Sequence, residues 1–421
     1  MRPIIRVAAI AAGLVAALIR TSPAAAELHS REQQIDMPGS PFAVVTTPDG
    51  TWVFVSVRQS GNGNTASGTS GIAVLERTGR SYRIVRFVAM EHQPAGLAMS
   101  RNGALLFAAA SSGVAVFDVQ RAIAGAPGTL IGFQELGLGF ETIEVVLSAD
   151  QRFVFAANEL AGTVSVIDLA DALRSKFAAT AIVGQIPADF HPVGLAVSSD
   201  GAHLYITNER AKPGTPGLNP SACRVPTGTG STELAPEGTI LVVDIALALV
   251  APSSSVVRRV VAGCSPVRIR LADWPDQSFP ERRQRQRDTI AWVSLRGEDR
   301  LNGFSTERLM SAPGSALLAS ALVGPAPVGV QPFADGRLIA VANSNRFGGS
   351  APGSVSVVSA SEALRHAPAT LTTFPVGVFP REWAISPDGG RLFLTEFGSS
   401  MLDIFDIEDL LPQRVRARDP E

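Results

Sequence analysis

Cysteine is nearly missing from this sequence. Two residues in 421, Cys223 and Cys264, exclude a disulfide-dense scaffold and a four-cysteine zinc site. Histidine is scarce too: His29, His92, His191, His203 and His366 stand isolated, with no H-E-x-x-H and no H-x-H, so no metal site is expected. No C-x-x-C-H attaches a haem, and no G-x-S-x-G, phosphate loop or strand-to-helix dinucleotide fingerprint occurs in its required context. No cofactor is therefore expected. Charged residues make up only 18% and the net charge is −2, so no basic field calls for nucleic acid. Beyond the first 26 residues no 18 consecutive positions are apolar, which excludes an ordinary membrane-spanning helix there. What is plentiful is apolar content (46%), with 39 glycines and 29 prolines, enough hydrophobic surface to offset chain entropy in a turn-rich globular fold.

The N-terminus reads as an address. Arg2 and Arg6 precede the apolar run Val7 to Ile19, and Ala24-Ala25-Ala26 follows as an A-x-A site. That order predicts a secretory signal peptide over 1–26 and a periplasmic or secreted mature chain. With no cysteine near the cut and no Arg-Arg pair, the general export route is expected rather than a lipid anchor or twin-arginine export. Removing Arg2, Arg6 and Arg20 leaves 33 basic residues against 38 acidic ones, a net of −5.

Internal repetition dominates the rest. One unit runs Pro, an alternating apolar stretch, Ser/Thr, Asp-Gly, a second apolar stretch, a Gly-rich joint and an alternating stretch ending in Asp. Pro192 to Gly201, then Leu204-Tyr-Ile-Thr-Asn208, then Gly238-Thr-Ile-Leu-Val-Val-Asp244 show it whole. The pattern starts at Pro41, Pro94, Pro192, Pro266, Pro327 and Pro380, and at Thr142 without proline. Each unit holds four strands by period-2 alternation, here called A to D. The Asp-Gly and Asn-Gly pairs at 49–50, 102–103, 200–201, 335–336 and 388–389 mark tight A–B hairpins. Asp118, Asp168, Asp244 and Asp406, at the ends of strands C, read as turn formers. Seven four-stranded antiparallel units about 50 residues apart predict an all-β, seven-bladed β-propeller spanning 27–407 as one domain. Residues 408–421 are a charged tail, a poor strand. Arg31 to Asp36 read as the outer strand of the last blade, closing the ring and removing exposed edges.

On Tyr205-Ile-Thr-Asn208, with Ser-Asp-Gly before it and Gly-Thr-Ile-Leu-Val-Val-Asp after it, the chain resembles the secreted YVTN-repeat, lactonase-like propeller superfamily over all seven units. The resemblance implies the fold. It leaves function open among binding proteins, surface-layer proteins, lactone-forming or lactone-cleaving enzymes, and propellers of redox enzymes.

Connectivity places A–B and C–D loops on one face of the disc and B–C and D–A loops on the other. Three insertions (60–70, 210–237 and 345–352) all lengthen B–C loops, so that face is elaborated, and long loops on a rigid scaffold carry function. Cys223 and Cys264 belong to the same face of blade four, and a disulfide between them is expected in an oxidising compartment. The opposite insertion, Asp273 to Asp288, carries Arg282, Arg283, Arg285 and Arg287 and reads as a solvated basic loop.

Polar residues at the ends of strands B or just before strands A collect on the elaborated face. The candidates for ligand contact are Arg58, His92, Glu159, His191, Asn208, Glu209, Arg268, Arg296, Asn343, Arg381 and Glu396. Several arginines at a channel mouth suit a carboxylate or phosphate held by paired donors. The leading expectation is a monomeric, non-catalytic binding or scaffold module taking a small anionic ligand or a protein partner on that face. An alternative is a lactonase-like or cycloisomerase-like enzyme built on His191, Glu209, Arg268 and Arg296, since enzymes of the superfamily combine an acid/base with carboxylate-holding cations. A second alternative is an accessory propeller of a periplasmic redox system.

Overall fold

A computed structural model describes residues 31–59, 69–226, 231–275 and 289–411. The signal-peptide reading, the four arginines of 281–288 and most of the charged tail lie outside these residues.

Among the described residues there are seven four-stranded antiparallel sheets, each pairing A to B to C to D, plus one two-stranded hairpin. The blades run 40–89, 94–135, 142–187, 190–263, 266–322 and 327–375. The seventh takes A, B and C from 380–406 and its outer strand from Arg31–Asp36, which pairs antiparallel with Met401–Asp406. This closure is tied by side chains as well. Gln34 donates to Asp403, Arg31 lies 2.9 Å from the same carboxylate, and Glu32 binds Arg391 and Arg80. Gln33 reaches blade one, exchanging bonds with the Tyr82 backbone.

Strands B form because their alternation places large apolar side chains between blades. Phe54, Phe107, Phe155, Tyr205 and Phe393 occupy equivalent positions at 0–2% exposure, and Trp292 fills the space in blade five. Burying each stabilises the fold by roughly 1.5–3 kcal/mol before entropy is counted. A second device joins neighbouring blades. Ser56, Thr207, Ser294 and Thr395, near the ends of four strands B, donate to the backbone of the next blade's strand A at Ala95, Val267, Val328 and Phe42. Blades two, three and six carry Ala109, Ala157 and Ala342 there and lack this bond.

The hairpins behave as the sequence demands. Gly50, Gly103, Gly201, Gly336 and Gly389 all sit at φ between +68° and +74°, a region that only glycine enters without cost. The strand-C aspartates do more than turn the chain. Asp118, Asp168, Asp244 and Asp406 cap short helices by accepting from backbone N–H groups, and Ser305 and Ser359 do so in blades five and six. The helical turn in the C–D connection is the reason an acceptor is needed there.

Every strand A shows a register shift against its strand B just after the residue that opens its repeat, Pro41, Pro94, Thr142, Pro192, Pro266, Pro327 or Pro380. Such shifts re-aim side chains, here toward the central channel. Two residues after each opening position stand Ala43, Gly96, Glu144, Gly194, Arg268, Gly329 and Glu382. Four small residues thus make room for three charged ones. The Arg268 guanidinium, 1% exposed, donates to Glu382 and to the Val193 carbonyl, and its Nη2 lies 3.6 Å from Glu144. This ionic layer is the waist of the channel.

Candidate functional site

On the face of the B–C and D–A loops, the residue just before the one that opens the repeat is strained in five blades. Glu141, His191, Ser265, Ala326 and Phe379 hold φ between +47° and +56°, which non-glycine residues seldom adopt. Three of them place side chains in the channel mouth. The mouth divides into two arcs. Blades three and four supply acid: Glu141, Glu159 and Glu209. Blades six, seven and one supply arginine and aromatic rings.

The acidic arc is largely spoken for. Glu141 pairs with Arg58 at 3.1 Å, and Arg58 also donates to Gln93. Glu209 pairs with Arg296 at 2.6 Å, both well covered. Glu159 faces His191 Nδ1 at 3.9 Å, beyond hydrogen-bond reach. Burial, and then the neighbouring Glu209, push the Glu159 carboxyl above its ordinary value.

Among the described residues of the basic arc only Arg58 has a carboxylate partner, Glu141. Arg381 lies over the Phe42 ring at 3.5 Å, with Phe379 at 5.5 Å and Phe397 at 5.9 Å. At this position, one residue into strand A, the other six blades carry Phe42, Ala95, Ile143, Val193, Val267 and Val328. Arg381 thus replaces an apolar inter-blade residue. Among the described residues it has no carboxylate partner, and its Nε is buried without an acceptor. Burial, then repulsion from Arg268, lower its pKa well below the usual arginine value. Exposed Arg346 stands beside it, 5.5 Å over Phe347 and 5.6 Å over Phe379, likewise without a carboxylate. Arg58 completes the group, 5.6 Å from Phe42. Arg346 and the rings went unmarked in the sequence, whereas Arg381, an arginine in a column of apolar residues, was named there.

The remaining predicted residues go elsewhere. Asn208 and Asn343 are fully buried and bond within their own blades, to the Asp189 N–H and Thr239, and to Ser354 and Ser356. His92 stacks on Phe133 of blade two's outer strand, centroids 4.0 Å apart. Arg268 belongs to the waist. The set His191, Glu209, Arg268 and Arg296 therefore does not converge: two members pair with each other, and Arg268 is committed below them. Cys223 and Cys264 are disulfide-bonded and buried with Ala235, pinning the hairpin of the blade-four insertion.

Glu396 also turns inward, accepting from the Gly377 N–H, with the Asp403 carboxyl beside it. Burial, then Asp403, raise its carboxyl to about 8. The folded chain thus keeps a proton that the unfolded chain releases near 4.5, so this contribution is complete below that pH and is lost as pH rises to about 8. Glu396→Gln should flatten the fall in stability over that window, gaining about 2–4 kcal/mol over wild type at alkaline pH. Urea melts at several pH values measure it, and an unchanged slope would contradict the assignment.

Neither a known family model nor a curated protein matches the sequence. Solved structures do match in fold. Hydrazine synthase of Kuenenia stuttgartiensis aligns at TM-score 0.59 and 17% identity, over 90% of this chain and 98% of that one. A chain of a mitotic checkpoint complex aligns at 0.60 and 13%, over 94% and 99%. The Cps50 (Swd1) propeller domain of Myceliophteria thermophila aligns at 0.58 and 12%, over 90% and 99%. One of these is an enzyme and one belongs to an assembly. At such identities the likeness is one of fold.

Proposed function

We propose that this protein is an exported, non-catalytic binding propeller, and that its site is the channel mouth on the B–C and D–A face. The ligand is a small anion with a flat apolar body, such as an aromatic carboxylate. The observation that carries the reading is Arg381, stacked on Phe42 with no carboxylate partner and flanked by Arg346 and Arg58. An unpaired guanidinium in apolar surroundings is costly, and an incoming carboxylate removes that cost while gaining two parallel donors. Phe379 and Phe397 offer the ligand body an edge-and-face wall; their centroids are 5.4 Å apart. Export is supported by the A-x-A segment and by the Cys223–Cys264 disulfide, which suits an oxidising compartment. Among the described residues no helix is long and apolar enough to cross a membrane.

A thermal-shift screen tests the reading. The panel holds aromatic and aliphatic carboxylates, dicarboxylates, lactones, sugar phosphates and divalent ions. A ligand at 100 times its dissociation constant adds about 2.7 kcal/mol of stability. Aromatic carboxylates should raise the melting temperature, and Arg381→Met should abolish the rise. A shift that persists in that variant, or none with any anion, contradicts it.

A further inference from the structure

The opposite mouth of the channel holds a second cavity that the proposed function does not use. It has two lobes, of about 290 and 420 Å³, that share Leu97, Met99, Glu144 and Arg270. Its rim carries Arg101, Ser148 and Ser198, so it opens on the A–B face. The waist forms its floor: Glu144 and Glu382 line it and are only 5% and 4% exposed.

Two features mark it as built to receive something. Glu144 is more than nine-tenths buried and faces the cavity, yet among the described residues its carboxylate accepts no hydrogen bond. Its nearest cation, Arg268 Nη2, is 3.6 Å away and is itself without an acceptor. A buried carboxylate with unused acceptor capacity is expensive unless a donor arrives. Gly96 makes room for it, since a Cβ there would approach Glu144 Oε2 to 2.8 Å. The second feature is Arg270. Its Nη2 stands 3.7 Å from Glu382 Oε2, too far for a bidentate pair, and its side chain is 30% exposed to the cavity mouth. One wall thus offers an anionic acceptor and another a cationic fork, with Leu97, Met99, Val146 and Val197 between.

We propose that this cavity is a binding site for a small zwitterion with an apolar side chain, a free α-amino acid in chemical class. The ammonium donates to Glu144, the carboxylate accepts from Arg270, and the side chain lies against Leu97 and Met99. A lone amine would meet Arg268 and Arg270 uncompensated, and a lone anion would meet both glutamates. A ligand of both signs satisfies each wall without adding net charge. Burial holds the Glu144 carboxyl above its usual value, and an ammonium against it favours the ionised form.

Isothermal titration of the full chain with L-leucine and L-methionine tests the site. Saturable binding at millimolar concentration or better is expected, with about tenfold or greater loss for N-acetyl-leucine, which lacks the ammonium, and for leucinamide, which lacks the carboxylate. Glu144→Gln and Arg270→Met should each weaken binding by at least about tenfold, and Met99→Trp, which fills the cavity without touching the ion pairs, should abolish it. Arg381→Met, on the other face, should leave it unchanged. Absence of binding by both amino acids overturns the proposal. Equal binding of a blocked analogue, or retention in both Arg270→Met and Met99→Trp, overturns it as well.

Discussion

Arg268→Met lowers the unfolding free energy by about 3–5 kcal/mol, the cost of leaving a buried charge without its partner. Arg268 is 1% exposed and is the cation shared by Glu382 and Glu144, themselves 4% and 5% exposed. Removing it leaves Glu144 without a cation and Glu382 with Arg270 alone, 3.7 Å away, in a channel whose other waist positions are alanine and glycine. Gly194 and Gly329 bring no side chain to them, and a Cβ there would meet backbone at 2.5 Å or closer. Substituting all three charges together, Arg268→Met with Glu144→Gln and Glu382→Gln, should recover most of the loss, because the penalty belongs to the uncompensated charge and not to missing attraction. Urea unfolding of the single and triple variants decides it. A single-variant loss under about 1 kcal/mol would mean that the waist is hydrated.

Replacing Arg31–Asp36 by a glycine-serine stretch is the other large effect. The strand Met401–Asp406 then presents an unpaired edge, and Asp403, 0% exposed, loses both Gln34 and Arg31. Blade one also loses the Gln33 clasp on Tyr82. A loss of more than about 5 kcal/mol is expected from the stranded charge and the lost ladder together. The uncovered edge should drive self-association, seen as higher mass by light scattering. A monomer whose urea transition moves by less than about 1 kcal/mol would show that the ring does not depend on this clasp.

The repeat made the fold legible because the physics that builds a blade is local. Asp-Gly at 200–201, alternation through Leu204–Asn208 and an aspartate at 244 each fix a turn or strand within a few residues, and the same constraints recur seven times. Even the closing strand could be read, since a ring with an open edge is penalised. The helical turns after strands C were not legible: Asp118 and Asp168 look like turn residues until the following N–H groups are seen to need an acceptor. The placement of the candidate residues was legible in part. Arg58, Glu159, His191, Glu209, Arg296 and Arg381 do gather at one mouth, because position along strand B or A determines height in the channel. Asn208, Asn343 and Glu396 sit at the same height but turn into their blades, and strand-end position alone does not say which way a side chain goes. Arg268 was misplaced for a related reason. The register shift after Pro266 carries it down to the waist, where Glu144 and Glu382 meet it from sequence distances of more than a hundred residues.

Calorimetric titration of benzoate into the wild-type protein and into Arg381→Met, at low and at high salt, tests most directly that the unpaired arginine at the elaborated mouth receives an anion. The account predicts saturable binding to wild type, weakened by salt and reduced at least about tenfold in the variant. Identical isotherms for the two proteins, or no heat with wild type, would contradict it.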